Sequence, residues 1–362
     1  MTLLLRPIWF VDSPVGLGDG TWSRVANSLL WYQGIEARRP GQPSEHIEVA
    51  ALDDWLATLP DRDRIRAQTQ LAGIAAPRAA LTFGARTLRF DVPQVMGILN
   101  MTPDSFSDGG KHMGDPEAAA DAGFAMSLAG AAIIDVGGES TRPGAEKVWE
   151  GDEIARVVPV IELLAKSGAI VSIDTRKAAV MEAALAAGAH IVNDISALLH
   201  DPRSMEVVAK AGCPVILMHS PSAGQDPHET ASPYGDVVAD TYAFLEGRIA
   251  ACLAAGIARE KIIVDPGIGF GKSLGDSLAL INRLATFQSL DQPLLLGASR
   301  KRIVGALSNE APAGQRLGGS LTLALEGARA GAAILRVHDV VESVQAVRVW
   351  RGLRDAALSV VA

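Results

Sequence analysis

Eight short apolar runs recur from Val95 onward, and each leads into residues able to hydrogen-bond or carry charge. They lie at Val95–Asn100, Ala132–Val136, Ile170–Asp174, His190–Asp194, Val215–His219, Lys261–Asp265, Leu294–Gly297 and Ile334–Val337. Runs of this length, rich in Ile and Val, read as strands buried on both faces. Between them lie Ala/Leu-rich segments with helical spacing: Glu117–Ala129, Met181–Ala187, Val237–Ala255, Ser277–Leu284 and Ser320–Ala330. Strand and helix alternating over roughly 250 residues predicts an α/β fold, a (β/α)8 barrel, with an open doubly wound sheet as the alternative. The first run shows the pattern most fully. In MGILNMTPDSFSDGG (Met96–Gly110) an apolar strand ends at Asn100, then come a Pro103-Asp104 turn, hydroxyls and acids, and a double glycine.

A barrel carries its site at the C-terminal ends of its strands, and that rule sorts the polar residues here into two groups. Asp174, Asn193 and Asp265 are acids and amides; Arg142, Lys301 and Arg336 are cations, with His338 able to join them. Carboxylates and amides at the mouth of a barrel suit a flat heterocycle rich in N–H and carbonyl groups, because a carboxylate accepts paired N–H bonds and an amide both donates and accepts. The cations suit an anion such as pyrophosphate. Arg336 and His338 are two residues apart on one strand, which points both to the same face. The competing reading is salt bridging among these same acids and bases.

Other signals are weaker. DPGIGFGKS (Asp265–Ser273) lacks the first glycine of a P-loop, since Pro266 stands there, so an NTPase is rejected. Lys272 is read as a solvated loop lysine, and His219 as a structural histidine closing a strand. The histidines form no metal-spaced cluster, and Cys213 and Cys252 read as buried thiols in a reducing compartment. A net charge of −8 gives no support to nucleic-acid binding. The start MTLLLRPIWF is broken by Arg6 and Pro7, and no apolar run reaches membrane length, so a cytoplasmic protein with no membrane partner is expected.

Residues 1–80 differ in texture and hold four of the six tryptophans. They are expected to be a separate extension of two helices, Glu45–Leu59 and Asp61–Ile74, followed by an AAPRAA linker. The barrel unit is expected over 81–362, opening with a hairpin at Leu81–Phe90 that turns at Gly84.

From about Leu81 onward the chain resembles the dihydropteroate synthase family of folate biosynthesis. The matching stretches are GILNMTPDSFSDGG, IIDVGGESTRPGA, SIDTRKAAV, HIVNDISAL, VILMH, IIVDPGIGFGKS, LLLGASRKR and ILRVHDV. The resemblance implies a (β/α)8 barrel that condenses 6-hydroxymethyl-7,8-dihydropterin diphosphate with 4-aminobenzoate, with magnesium (Mg2+) required and a homodimer as the assembly. By position it implies that Asp174, Asn193 and Asp265 hold the pterin with Lys301 alongside and Met218 packing near. Arg336 and His338 would bind the diphosphate, and Asn100 would serve the magnesium. Thr141 would lie at the substrate mouth, with Arg142, Pro143, Phe270 and Ser299 on the aminobenzoate side. Asp104 and Asp108 are further candidates for late contacts to magnesium or diphosphate. The chain departs from the pattern after strand five (HSPSAGQDPHETASPY), at Arg176, read as a surface change, and at Arg302. A pterin-binding methyltransferase barrel and a non-catalytic pterin binder are the alternatives. The SRK and RVH motifs and the full first loop weigh against the methyltransferase, and intact Asn100, Lys301, Arg336 and His338 against the binder.

Overall fold

The computed structural model describes residues 2–102, 115–140, 147–221 and 234–359. It opens with an antiparallel sheet of β1 (Leu4–Val11), β2 (Ser23–Arg24), β3 (Trp31–Arg38) and β4 (Glu45–Glu48), in which β3 pairs with all three others. Two helices follow, α1 (Leu52–Thr58) and α2 (Asp61–Ala75). The single helix expected over Glu45–Leu59 is therefore corrected. Its first four residues form β4, with only Ile47 buried, and a short 3-10 turn at Val49–Ala51 separates that strand from α1. Pairing with β3 outweighs the helical spacing of the apolar residues downstream. The strands β1 to β3 were absent from the sequence reading. β3 is buried along most of its length, so it shows no alternation to read. The inner face of this sheet, with Leu3, Leu5, Tyr32 and Ile35, packs on Ala67 and Ile74 of α2 and continues onto Ala328 and Trp350 of the barrel.

The hairpin forms as expected, β5 (Leu81–Phe83) paired with β6 (Arg86–Leu88). Gly84 adopts φ +58, a conformation that costs glycine little. The barrel then follows as β7 (Gln94–Asn100), α3 (Pro116–Ala129), β8 (Ile133–Gly137), α4 (Glu150–Lys166), β9 (Val171–Asp174), α5 (Ala178–Ala186), β10 (Ile191–Asp194) and α6 (Ser204–Ala211). Its second half is β11 (Val215–Met218), α7 (Val237–Ala254), β12 (Ile262–Asp265), α8 (Leu274–Asn282), β13 (Leu295–Leu296), α9 (Arg302–Leu307), α10 (Leu317–Arg329), β14 (Ile334–Val337) and α11 (Val340–Ala357). The eight strands are parallel, in the order β12-β11-β10-β9-β8-β7-β14-β13, and one parallel bridge between Val264 and Leu294 closes the ring. β13 is shorter than the expected Leu294–Gly297: Leu294 makes the bridge to Val264 and accepts from Ala333 N and Ile334 N, but it stands outside the regular paired run.

Period-two alternation divides each strand between two environments. Residues such as Val95, Ile134, Val171, Val192, Val215 and Ile262 face the helices in one large core. Their neighbours Met96, Ile133, Ile170, Ile191, Ile216 and Ile263 fill the lumen together with Leu295 and Ile334. Leu81, Leu88 and Phe90 of the hairpin region belong to the same cluster and seal the lumen at its lower end. Two residues higher on the lumen face the side chains turn polar, and the site lies there.

Candidate active site

Continuing the same alternation upward, β8, β10, β12 and β14 bring Asp135, Asn193, Asp265 and Arg336 to one level of the lumen. Asn100, Asp174, Ser299 and His338 stand one step higher. Gly137 leaves room at this height: a Cβ there would meet the Asn100 amide oxygen at 3.6 Å and Asp174 Oδ2 at 3.8 Å. Gly297 likewise opens space against Asp265 Oδ2.

Arg336 organises the acids. Its Nε donates to Asp135 Oδ2 at 2.6 Å and its Nη2 to Asp174 Oδ2 at 2.6 Å. Burial works against its charge, but Asp135 and Asp174 outweigh burial and hold the guanidinium firmly protonated. The salt bridging that the sequence left open is thus present in the structure. It does not satisfy the acids. Asp135 is fully buried and also accepts from Asn193 Nδ2 at 3.1 Å, yet its Oδ1 has no partner among the described residues. An orphaned carboxylate oxygen in a lumen calls for a donor from a ligand. Burial pushes Asp174 up to about 7; Arg336 opposes that, and Asp135, Glu153 and Asp194 add to it. Asp265, whose Oδ1 accepts from Gly267 N at 2.7 Å, is also raised by burial, against the pull of Lys301.

Lys301 reaches across the mouth. Its Nζ donates to Ile268 O at 2.5 Å and sits 4.2 Å from the centre of the Phe270 ring. Burial lowers it to about 8, with Asp265 raising and Arg336 lowering it further. Phe270 packs with Met218 and Ile195 in a small apolar cluster separate from the main cores. The mouth therefore offers carboxylates and an amide on one side and an apolar, cation-bearing wall on the other. Ser299 Oγ accepts from His338 N at 3.2 Å and lies 3.1 Å from His338 Nδ1, tying the end of β14 to the segment after β13.

Of the expected site residues, the structure brings together Asn100, Asp174, Asn193, Met218, Asp265, Phe270, Ser299, Lys301, Arg336 and His338. Thr141, Arg142 and Pro143 lie outside the described residues, as do Asp104 and Asp108. Asp135 and Ile195 were not among the candidates. Counting two residues up from Ile133 on the lumen face would have found Asp135.

Two readings are corrected. Lys272 is no solvated lysine: its Nζ donates to His219 O, Gly267 O and Phe270 O at 3.1, 2.8 and 3.2 Å, and burial lowers it to about 7. Arg176 is no surface change, since it is largely buried and paired with Glu139 at 3.3 Å. His219 is structural as read. It is buried beside Thr241 and Phe244, and burial lowers it to about 3, so the ring is neutral. Among the described residues no group of three or more His, Cys, Asp or Glu side chains is placed to hold a metal ion.

The pterin binding enzyme family matches residues 96–338, which include every strand end named above. Dihydropteroate synthase of Escherichia coli (strain K12) is 48% identical over 258 residues, covering 71% of this chain and 90% of that protein. The chain belongs to the dihydropteroate synthase family. Dihydropteroate synthase of Yersinia pestis, solved as a sulfonamide drug complex, superposes with a TM-score of 0.72 at 46% identity, covering 77% of this chain and all of that one. The enzyme of Xanthomonas albilineans, solved with 4-aminobenzoic acid, gives a TM-score of 0.70 at 45% identity, covering 76% and 98%. The family members thus share the barrel, and the unmatched remainder here includes the N-terminal sheet.

Proposed function

We propose that this chain joins 6-hydroxymethyl-7,8-dihydropterin diphosphate to 4-aminobenzoate, forming 7,8-dihydropteroate and pyrophosphate. One observation carries the assignment of roles: a ring of buried carboxylates around Asn193 with an orphaned Asp135 oxygen, bordered by Lys301 and Arg336. A pterin edge presents the N–H donors that such a ring needs. In this reading Asp174, Asn193 and Asp265 hold the pterin, helped by Asp135, with Met218 against its face. Arg336 and His338 flank the diphosphate. Lys301 stands alongside the pterin, and Phe270 and Ser299 face the aminobenzoate, joined by Thr141, Arg142 and Pro143.

The arylamine nitrogen forms a bond to the pterin methylene carbon as the bond from that carbon to the diphosphate oxygen breaks. The electron pair leaves with pyrophosphate, and the anilinium proton passes to solvent or to the departing anion. Anilinium is acidic, so no strong base is required. The positive charge of Arg336, with His338 beside it as a hydrogen-bonding group, lies where negative charge develops and stabilises the leaving group. The apolar wall orients the amine and excludes water. The donor set fits a magnesium ion that arrives with the diphosphate, because such ions take substrate phosphates and keep their waters rather than needing a protein cage. Asn100 would hold it, and its charge would add to that of the cations.

We further propose a division at residue 80 between extension and barrel, a homodimer, and a cytoplasmic location. Cys213 and Cys252 are both free and buried, which suits a reducing compartment, and no helix among the described residues is long and apolar enough to cross a membrane. The test is pyrophosphate release by the full chain. Release that depends on 4-aminobenzoate, with dihydropteroate formed in equal amount, is expected. Absence of coupled product, or methyl transfer from methyltetrahydrofolate instead, would overturn the assignment.

A further inference from the structure

The N-terminal sheet lies outside the family match, yet the sheet and α2 reach the barrel helices: Arg6 of β1 donates to Asn282 O at the end of α8 at 2.8 Å, and two further cations, Arg38 and Arg66, meet α7. Arg38, at the end of β3, makes a bidentate contact with Asp236, the residue that caps the start of α7; Nη1 to Oδ1 is 3.4 Å, and Nη2 to Oδ2 is shorter. Asp236 also accepts from Val238 N and Ala239 N, so one buried carboxylate joins the sheet to the helix cap. Arg66 of α2 pairs with Glu246, nearly three turns further along α7, and sits 5.8 Å over the Tyr242 ring. The helix is thus held from outside at two points.

Its inner face touches the site. Thr241 Oγ1 lies 3.4 Å from His219 Nδ1, and the Phe244 ring meets His219 edge-on at 4.9 Å. His219 follows Met218 directly. Its backbone N donates to Asp265 O at 3.0 Å, and its carbonyl accepts from Lys272. A continuous set of contacts therefore runs from Arg38 and Arg66 through α7 to His219 and on to the turn carrying Asp265.

We infer that the N-terminal sheet is a brace that sets the position of the strand-five wall of the substrate site, with Arg38 and Arg66 as positioning residues. The inference rests on the pterin reading of that site. A packed helix pinned at its start and near its middle has little freedom, and release of the pins lets α7 and His219 shift together. The pterin side is affected, because Met218 and Asp265 move with His219. The aminobenzoate side is affected less: Phe270 packs on Met218, but Ser299 follows β13, on another strand.

The test uses the full chain with Arg38→Met, Arg66→Met and both together, reading equilibrium affinity for 6-hydroxymethylpterin, KM for 4-aminobenzoate, and thermal unfolding. The double variant is expected to bind the pterin about five-fold more weakly, with KM for 4-aminobenzoate little changed. Arg38→Lys, which keeps the charge, is expected to recover most of the affinity. A lower unfolding temperature with unchanged pterin affinity in the double variant would overturn the brace and leave the sheet a stabilising layer. If the unaltered chain does not bind the pterin, the reading of the site fails instead, and the two failures are distinct.

Discussion

Within one pleat the lumen of the barrel changes from oil to salt. At Ile133, Ile191, Ile263 and Ile334 it is wholly apolar and closed by the hairpin. Two residues further along the same strands stand Asp135, Asn193, Asp265 and Arg336, and none of these reproduces the dry packing below. The lower layer gains its stability from buried area. The upper layer keeps carboxylates out of water around a single guanidinium, an arrangement that by itself stabilises little. Such a cluster makes physical sense as a receptor whose remaining partners come with the ligand. The two levels should therefore answer substitutions differently, one through stability and the other through binding.

Arg336→Met is the harshest way to break this contrast, because here an upper-level residue governs stability as well as binding. It strands Asp135 and Asp174 without a cation, and loss of one partner of a buried pair costs about 3–5 kcal/mol of stability. Turnover should also fall by at least about 100-fold, since the leaving group loses a charge aimed at it. Denaturant unfolding and pyrophosphate release are the measurements; a variant with near-normal turnover would remove Arg336 from the site. Ile263→Ala comes next and isolates the lower level. It should cost about 2–5 kcal/mol while KM for both substrates stays put in the protein that remains folded. A raised KM for the pterin would show that the layers are not separable.

Much of this division was legible in the sequence, because a parallel strand ending in a polar residue announces both its burial and its direction. All eight barrel strands lie where the apolar runs predicted them, and Ile334–Val337 coincides with β14. The missing parts have physical causes. Asp135 sits inside an apolar run, so only its parity with Ile133 marks it as facing the lumen. Lys272 looked solvated because glycines flank its loop, but the turn at Gly267, with φ +68, brings the carbonyls of Gly267 and Phe270 toward its ammonium, where His219 O adds a third. The N-terminal sheet escaped notice because β3 is covered by its neighbours in the sheet and by the barrel helices beneath, which a local pattern does not record.

Asp265→Asn sharpens the contrast from the upper level. Burial already disfavours the ionised form of Asp265, and an amide oxygen can still accept from Gly267 N. Stability should hold or rise slightly. Pterin affinity should fall by about 10- to 100-fold, the worth of a charge-assisted hydrogen bond. Calorimetric titration with a pterin, beside a thermal melt, separates the two. A variant that melts early and binds normally would reverse the roles of the layers.

The smallest effect expected is a pH dependence set by the upper layer alone. Asp174 is pushed up to about 7 by burial and the neighbouring acids, and Lys301 is lowered to about 8 by burial. Below pH 7 Asp174 takes up a proton and loses its value as an acceptor for pterin N–H groups. Above pH 8 Lys301 loses its charge. Both losses reduce kcat/KM, so the profile should be bell-shaped with its maximum between these values and limbs of about ten-fold per pH unit. Two variants assign the limbs. Asp174→Asn should flatten the acid side, and Lys301→Arg, whose guanidinium stays protonated, should carry the alkaline side upward by more than one unit. Stability should move the opposite way on both limbs, by up to about 1.4 kcal/mol per pH unit: below pH 7 the folded chain holds an Asp174 proton that the unfolded chain has lost, and above pH 8 it has already released the Lys301 proton that the unfolded chain keeps. If melting temperature and kcat/KM instead moved together with pH, the profile would report unfolding rather than titration in the site, and the separation of the two levels would fail at its most sensitive point.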